Sequence, residues 1–139
     1  MPALKKLLLL LVLAVPVLAQ APDPYQTSSL ENGRAWQLMN RGQKAAWVNG
    51  YGEGLTIGSL LAGQTWDKYA ATYSTRFPTN LTNVEIADAV DHFYADAPEN
   101  APIPVPDAIW YVAQKAAGTP SSVLDEFAAE RRRVAAKTK

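Results

Sequence analysis

His92 is the only histidine in this 139-residue chain, and its neighbours are acidic. Asp88 and Asp96 lie four residues to either side, and Glu85 seven before it. On a helix these four residues share one face and offer a divalent cation one imidazole nitrogen and up to three carboxylates. Ligands from a single helix seldom complete a coordination shell, and a solvated acidic face accounts for the same residues. Two-histidine zinc patterns need a second histidine and are excluded within one chain. A serine nucleophile needs a base and an orienting acid, yet no serine stands in a nucleophile-elbow pattern. A carboxylate pair of glycosidase type needs two acids held across a cleft, which no sequence spacing among the 13 acids can establish. The absence of cysteine excludes disulfides, thiolate metal sites and a cysteine nucleophile. No catalytic, cofactor-binding or metal-binding residue is therefore assigned, and no cofactor is expected. The chain reads as a non-enzymatic binding protein, the alternative being a small-ligand or metal-binding protein with a cleft beside the His92 face.

The helix that would carry His92 has the clearest local signals. Thr82 and Glu85 form a capping box, Leu81 and Ile86 are placed for a hydrophobic staple, and Pro98 follows the end. The pattern predicts a helix from about Asn83 to Asp96 with Ile86, Val90, Phe93 and Tyr94 in the core. Upstream, a short helical turn over Arg34 to Met39 leads to a second capping box, Asn40 and Gln43, which opens a helix from about Arg41 to Ala62. At about 100° per residue, Trp47, Tyr51, Leu55, Ile57, Leu61 and Ala62 fall on one broad side, with Gly50, Gly54 and Gly58 at its middle. Interior glycines cost about 1 kcal/mol each relative to alanine, so their central place predicts a neighbouring helix packed backbone to backbone. On that reading Gly54→Leu destabilises the domain, because overpacking of about 1 to 3 kcal/mol outweighs the propensity gained.

Trp66, Tyr69, Tyr73 and Phe77 recur at spacings of three and four, which predicts a helical segment before Pro78 with its aromatic stripe in the core. The stretch PENAPIPVPD, Pro98 to Asp107, is expected to run as an extended, polyproline-like connector. A helix from about Pro106 to Ala117 should present Ala113, Ala116 and Ala117 as a small-residue surface and end at Gly118. A last helix opening at Thr119-Pro120 is expected to bury Val123, Leu124, Phe127 and Val134. Arg131, Arg132, Arg133 and Lys137 then sit at its solvated C-terminal end. No strand-like alternation of useful length occurs. The expected fold is all-α, a single compact domain of four to six helices with a glycine-rich close-packed helix.

The first residues set the compartment. Lys5 and Lys6 precede an apolar run from Leu7 to Ala19, followed by polar residues, the layout of a secretory signal. Thirteen residues cover about 20 Å as a helix, short of a hydrocarbon core of about 30 Å. The expected organisation is a signal peptide over 1–19, a flexible segment over 20–32 and a single helical domain over 33–139. The product would be periplasmic or secreted, with no membrane attachment after cleavage. Loss of Lys5 and Lys6 leaves 11 bases against 13 acids, a formal charge of −2 that gives no basis for nucleic-acid binding. A protein partner is expected, and a second copy of the chain is one such partner.

The block WVNGYGEGL, the capped segment LTNVEIADAVDHFY and the following PENAPIPVPDAI, in that order behind a signal peptide, resemble the small exported helical domains of the Rap/Tai immunity type and related secreted bacterial proteins. The likeness spans Gly33 to Gly118. It implies a periplasmic protein that binds and blocks a cell-wall-degrading amidase effector of type VI secretion, with no catalysis of its own. Members of that family usually carry paired cysteines, and this chain has none.

Small residues are required just before a signal cut, which places it after Ala19 rather than after Ala21, where Pro22 would follow. Intact-mass spectrometry of the protein exported from a bacterial host is expected to give a chain beginning at Gln20; retention of the leader would overturn the assignment.

Overall fold

The structure is a computed structural model that describes residues 21–138. The expected signal peptide and its expected cut after Ala19 lie outside the described residues. Six α-helices are present among them, with one small β-hairpin and no larger sheet. The fold is all-α, within the expected number of helices.

The hairpin pairs β1 (Gln26–Thr27) with β2 (Leu30–Glu31), Thr27 opposite Leu30. Ser28 and Ser29 turn the chain between them, both at positive φ, as a two-residue hairpin turn demands. Serine is an uncommon choice there, and the asparagine-glycine signal that would have announced the turn is missing. The segment expected to be a flexible leader is thus a structured arm. Its anchor is polar and buried. The Asn32 amide donates to the Pro24 carbonyl at 3.1 Å and to Thr27 Oγ1 at 3.2 Å, and Thr27 Oγ1 donates to the Pro102 carbonyl at 2.7 Å. Asn32 Oδ1 also accepts from the Arg34 amide and so caps α1 (Gly33–Gln37).

Helix α1 inserts Trp36 fully into the core, its indole donating to Asp91 at 2.7 Å. Both expected capping boxes are formed, at Asn40–Gln43 before α2 (Arg41–Leu61) and at Thr82–Glu85 before α4 (Asn83–Ala95). Helix α3 (Trp66–Arg76) lies between them in sequence. An aromatic chain joins the first three helices. Trp36 meets Trp47 edge-on at 6.1 Å, and Trp47 stacks on Tyr51 at 5.6 Å. Tyr51, Phe77, Tyr73, Tyr69 and Trp66 follow at 5.2 to 6.4 Å. Tyr69 and Phe77 are buried, as the stripe predicted, but the chain emerges at the exposed Trp66.

The glycine stripe is a correction. Gly50, Gly54 and Gly58 face open space, and a methyl group added at any of them would touch nothing within 4 Å. The buried line of α2 is instead Val48 and Gly52, with Leu55 and Thr56 half-buried beyond them. The expected face was centred too near Ile57 and Leu61, both exposed. Trp47 and Tyr51 mark the rim of the buried face rather than its middle, because large rings reach the core from its edge. Gly52 is the close-approach residue: a methyl there would lie 3.0 Å from the Tyr73 hydroxyl and 3.2 Å from the Phe77 ring.

The proline-rich stretch is a second correction. Pro98–Asn100 form a 3-10 turn, and Ile103, Pro104 and Val105 are buried rather than extended through solvent. Asn100 donates to the Phe93 carbonyl at 3.0 Å, and the Tyr94 hydroxyl donates to the Ile103 carbonyl at 2.9 Å. Helix α5 (Val105–Ala116) buries Ala108, Ile109, Val112 and Ala113, while Ala116 and Ala117 are exposed. Helix α6 (Ser121–Lys137) packs through Leu124, Ala128 and Ala135. Val123 and Val134, expected inside, are exposed, and Phe127 is half-buried. Alanine at the contact positions lets α6 lie close to its neighbours, which turns the flanking valines outward. Its bases also depart from a wholly solvated end. Arg131 pairs with the half-buried Asp107 at 2.8 Å, and Arg132 donates to the buried Asn100 at 2.7 Å.

Thermal melts separate the two kinds of glycine. Gly54→Ala is expected to raise stability by up to about 1 kcal/mol, since helix propensity improves and nothing is displaced. Gly52→Leu and Gly33→Ala should each lower it by about 1 to 3 kcal/mol through overpacking. At Gly33 the added methyl would sit 2.5 Å from the Tyr94 ring. A Gly54→Ala melt below wild type, or a Gly52→Leu melt equal to it, would contradict this packing.

Candidate functional site

His92 and its three acidic neighbours do lie on the exposed side of α4 and its C-terminal end, but a local cap occupies Glu85 and a tertiary contact occupies Asp88. The Glu85 carboxylate accepts from the Thr82 backbone amide and hydroxyl, both at 2.8 Å. Those bonds hold its carboxyl below the usual glutamate range. Asp88 takes a two-point contact from Arg41, 2.7 Å to one oxygen and 3.2 Å to the other. That guanidinium holds the Asp88 carboxyl low. Asp91, next along the helix, accepts from both Trp36 and Lys44. A depressed folded-state pKa contributes stability above the unfolded value and loses it as pH falls through the folded one. Glu85 and Asp88 thus act as structural carboxylates whose contribution is lost on acidification. Among the described residues no group of three or more histidine and acidic side chains is arranged to hold a metal ion.

His92 and Asp96 instead form one wall of an open groove of about 560 Å³. Phe93 and Ala97 continue that wall, Tyr111, Val112 and Lys115 come from α5, and Asp125, Ala128 and Arg132 from α6. The turn at Pro98–Asn100 closes one end through Asn100. The floor is apolar and aromatic, with the Phe93 and Tyr111 rings 4.8 Å apart. Burial raises the Tyr111 hydroxyl, and the charges of Asp125 and Asp96 raise it further. Both acids, Asp96 and Asp125, and bases, Lys115 and Arg132, line it. The groove could take a small ligand, but its arrangement supplies no nucleophile with a base and an orienting group.

A different surface is more distinctive. The outer face of α2 turns Gly50, Gly54, Ile57, Gly58 and Leu61 in one direction, since residues three and four apart share a helix face. Among the described residues none of these is covered by another part of the chain. Leu61 is 84% exposed, Ile57 57% and, across the turn into α3, Trp66 65%. Leu60 is half-exposed beside them. The sequence singled out these glycines and the aromatic stripe for packing within the domain. The structure directs Gly50, Gly54 and Gly58 outward, and Trp66, five residues after Leu61 across the α2–α3 turn, is exposed as well.

No helix is long and apolar enough to cross a membrane among the described residues. No protein-family model, curated protein or solved structure matches the chain.

Calorimetric titration with Mg²⁺, Ca²⁺ or Zn²⁺ is expected to release no binding heat from the wild-type protein or from His92→Ala. A saturable heat present in wild type and lost in His92→Ala would establish a metal site that the contacts of Glu85 and Asp88 argue against.

Proposed function

We propose that this protein is an exported, non-enzymatic interaction protein whose partner is another protein, bound at the α2–α3 corner. The observation that carries the reading is the uncovered face formed by Ile57, Leu61 and Trp66 beside the open glycines Gly54 and Gly58. Large apolar side chains grouped at one place on a small domain favour association, because burying them removes apolar area from water. Glycines at the same place let a partner helix approach the α2 backbone closely, as side chains of ordinary size would not.

The partner class proposed is a cell-wall-degrading amidase, blocked in the manner of an immunity protein. The order of sequence blocks shared with the Rap/Tai type supports this choice, as does the secretory layout of the first 19 residues. A partner of that kind calls for a rigid inhibitor and no chemistry of its own. The aromatic chain from Trp36 to Trp66 anchors the corner to the core and supplies that rigidity.

Inhibition of a type VI secretion peptidoglycan amidase by the purified protein tests the reading, with complex formation followed by calorimetry. Stoichiometric inhibition is expected, and Leu61→Lys should weaken binding by about tenfold or more, the loss expected when a buried apolar contact becomes a charge, with its melting temperature unchanged. Absence of binding to such amidases would overturn the partner class. A dimer in light scattering that Leu61→Lys dissolves would overturn the heterologous partner and assign the face to a second copy.

A further inference from the structure

A second cleft, sharing no residue with the groove beside His92, opens where α2, α3, α5 and α6 meet. Its volume is about 340 Å³, at the small end of the range for ligand pockets. Three rings from three helices line it: Tyr51, Trp110 and Phe127, the last two 4.2 Å apart. Two guanidinium groups, Arg76 and Arg131, and one carboxylate, Asp107, line it as well.

The hydrogen-bonding groups here are unbalanced. Asp107 is committed to Arg131, whose Nη2 donates to it at 2.8 Å while the guanidinium lies 5.5 Å over the Phe127 ring. Among the described residues Arg131 Nε is buried with no acceptor. Among the described residues neither the Arg76 guanidinium, the Tyr51 hydroxyl nor the Trp110 indole nitrogen donates a side-chain hydrogen bond, and Arg76 makes no ion pair. Arg76 stands close enough to Tyr51 for its charge to oppose the rise that burial imposes on the tyrosine hydroxyl. The cleft therefore holds more unused donors than acceptors, the second Asp107 oxygen and the Tyr51 hydroxyl oxygen being the acceptors left, and one surplus positive charge.

We propose that this cleft binds a small organic monoanion, a carboxylate carried on an aromatic or apolar body, with the carboxylate on Arg76 and the body against Tyr51 and the Trp110–Phe127 pair. A guanidinium matches a carboxylate in planar two-point geometry, and aromatic faces accept a planar body. One surplus charge suits a monoanion better than a phosphate dianion. The carboxylate belongs either to a free aromatic acid or to the C-terminus of a short peptide. This inference is independent of the α2–α3 corner, to which it contributes no residue.

Calorimetry with phenylacetate and with a tripeptide ending in phenylalanine tests it, alongside phenylacetamide, the C-terminally amidated tripeptide and inorganic phosphate. At least one of the two carboxylates is expected to bind saturably, and the one that does identifies the source. Its amide should bind about tenfold more weakly or worse, because the charge-assisted contact is lost. Arg76→Gln should weaken the carboxylate to a similar degree at an unchanged melting temperature, with Arg76→Lys between the two. In the NMR spectrum the Trp110 indole signal, identified by its loss in Trp110→Phe, should shift on binding. Failure of both carboxylates to bind, equal affinity for acid and amide, indifference to Arg76→Gln, or tighter binding of phosphate would each overturn the proposal.

Discussion

The hydrogen bond from the Tyr94 hydroxyl to the Ile103 carbonyl is the contact on which the arrangement of helices turns. Tyr94 is almost wholly buried, and a buried hydroxyl without an acceptor costs on the order of 1 to 3 kcal/mol. Burial also pushes its ionisation far up, so the group acts as a neutral donor throughout the ordinary pH range. The acceptor lies in the proline-rich stretch, which has few backbone donors of its own to pair inside the core. Satisfying the hydroxyl and the carbonyl together draws Ile103 and Val105 inward and sets the starting point of α5. The other side of the same ring lies against Gly33, where no side chain larger than hydrogen fits without movement. Three elements, α1, α4 and the entry to α5, are thus located by one side chain.

The buried arm at the N-terminal side follows from that placement. Once residues 102–104 are held against α4, their backbone offers the Pro102 carbonyl to Thr27 and a bridge to Asn32. Two polar side chains, one at 8% exposure and the other at zero, then close a network in which the buried amide and hydroxyl have partners. The core is consequently densest around α4, α5 and the arm. The far half of α2 and the start of α3 project beyond it, tied back by aromatic rings and by the Thr56 hydroxyl paired with that of Tyr69 at 2.5 Å. Among the described residues that projection leaves Ile57, Leu61 and Trp66 uncovered, and the cleft lined by Arg76 and Arg131 lies where α2, α3, α5 and α6 meet. The two surfaces proposed for binding are products of where the core ends.

The His92 face illustrates how context settles chemistry. Four groups at helical spacing looked alike as ligands, but an N-terminal cap claims Glu85 and an arginine 47 residues away claims Asp88. The cap was readable, because capping is local and Thr82 and Glu85 stand three residues apart. The arginine was not, because nothing near Asp88 in the chain announces Arg41. The cleft of Arg76, Asp107 and Arg131 is hidden for the same reason: its members come from three helices and share no spacing.

Local physics determined much of this protein from the sequence alone. Both capping boxes, the core face of α4, the all-α class and the aromatic periodicity of α3 depend on residues within one or two helical turns of each other. Their energies are set by propensity and by short-range hydrogen bonds. Tertiary structure decided what each face meets. Gly50, Gly54 and Gly58 were indistinguishable by type from Gly52, yet only Gly52 lies under Tyr73 and Phe77. The prolines of residues 98–106 suited a solvated connector until Tyr94 supplied a buried donor for Ile103. A helix can be inferred from its own period, but the rotation of that helix about its axis depends on which neighbours bury more area and satisfy more polar groups, and those neighbours are distant in the chain.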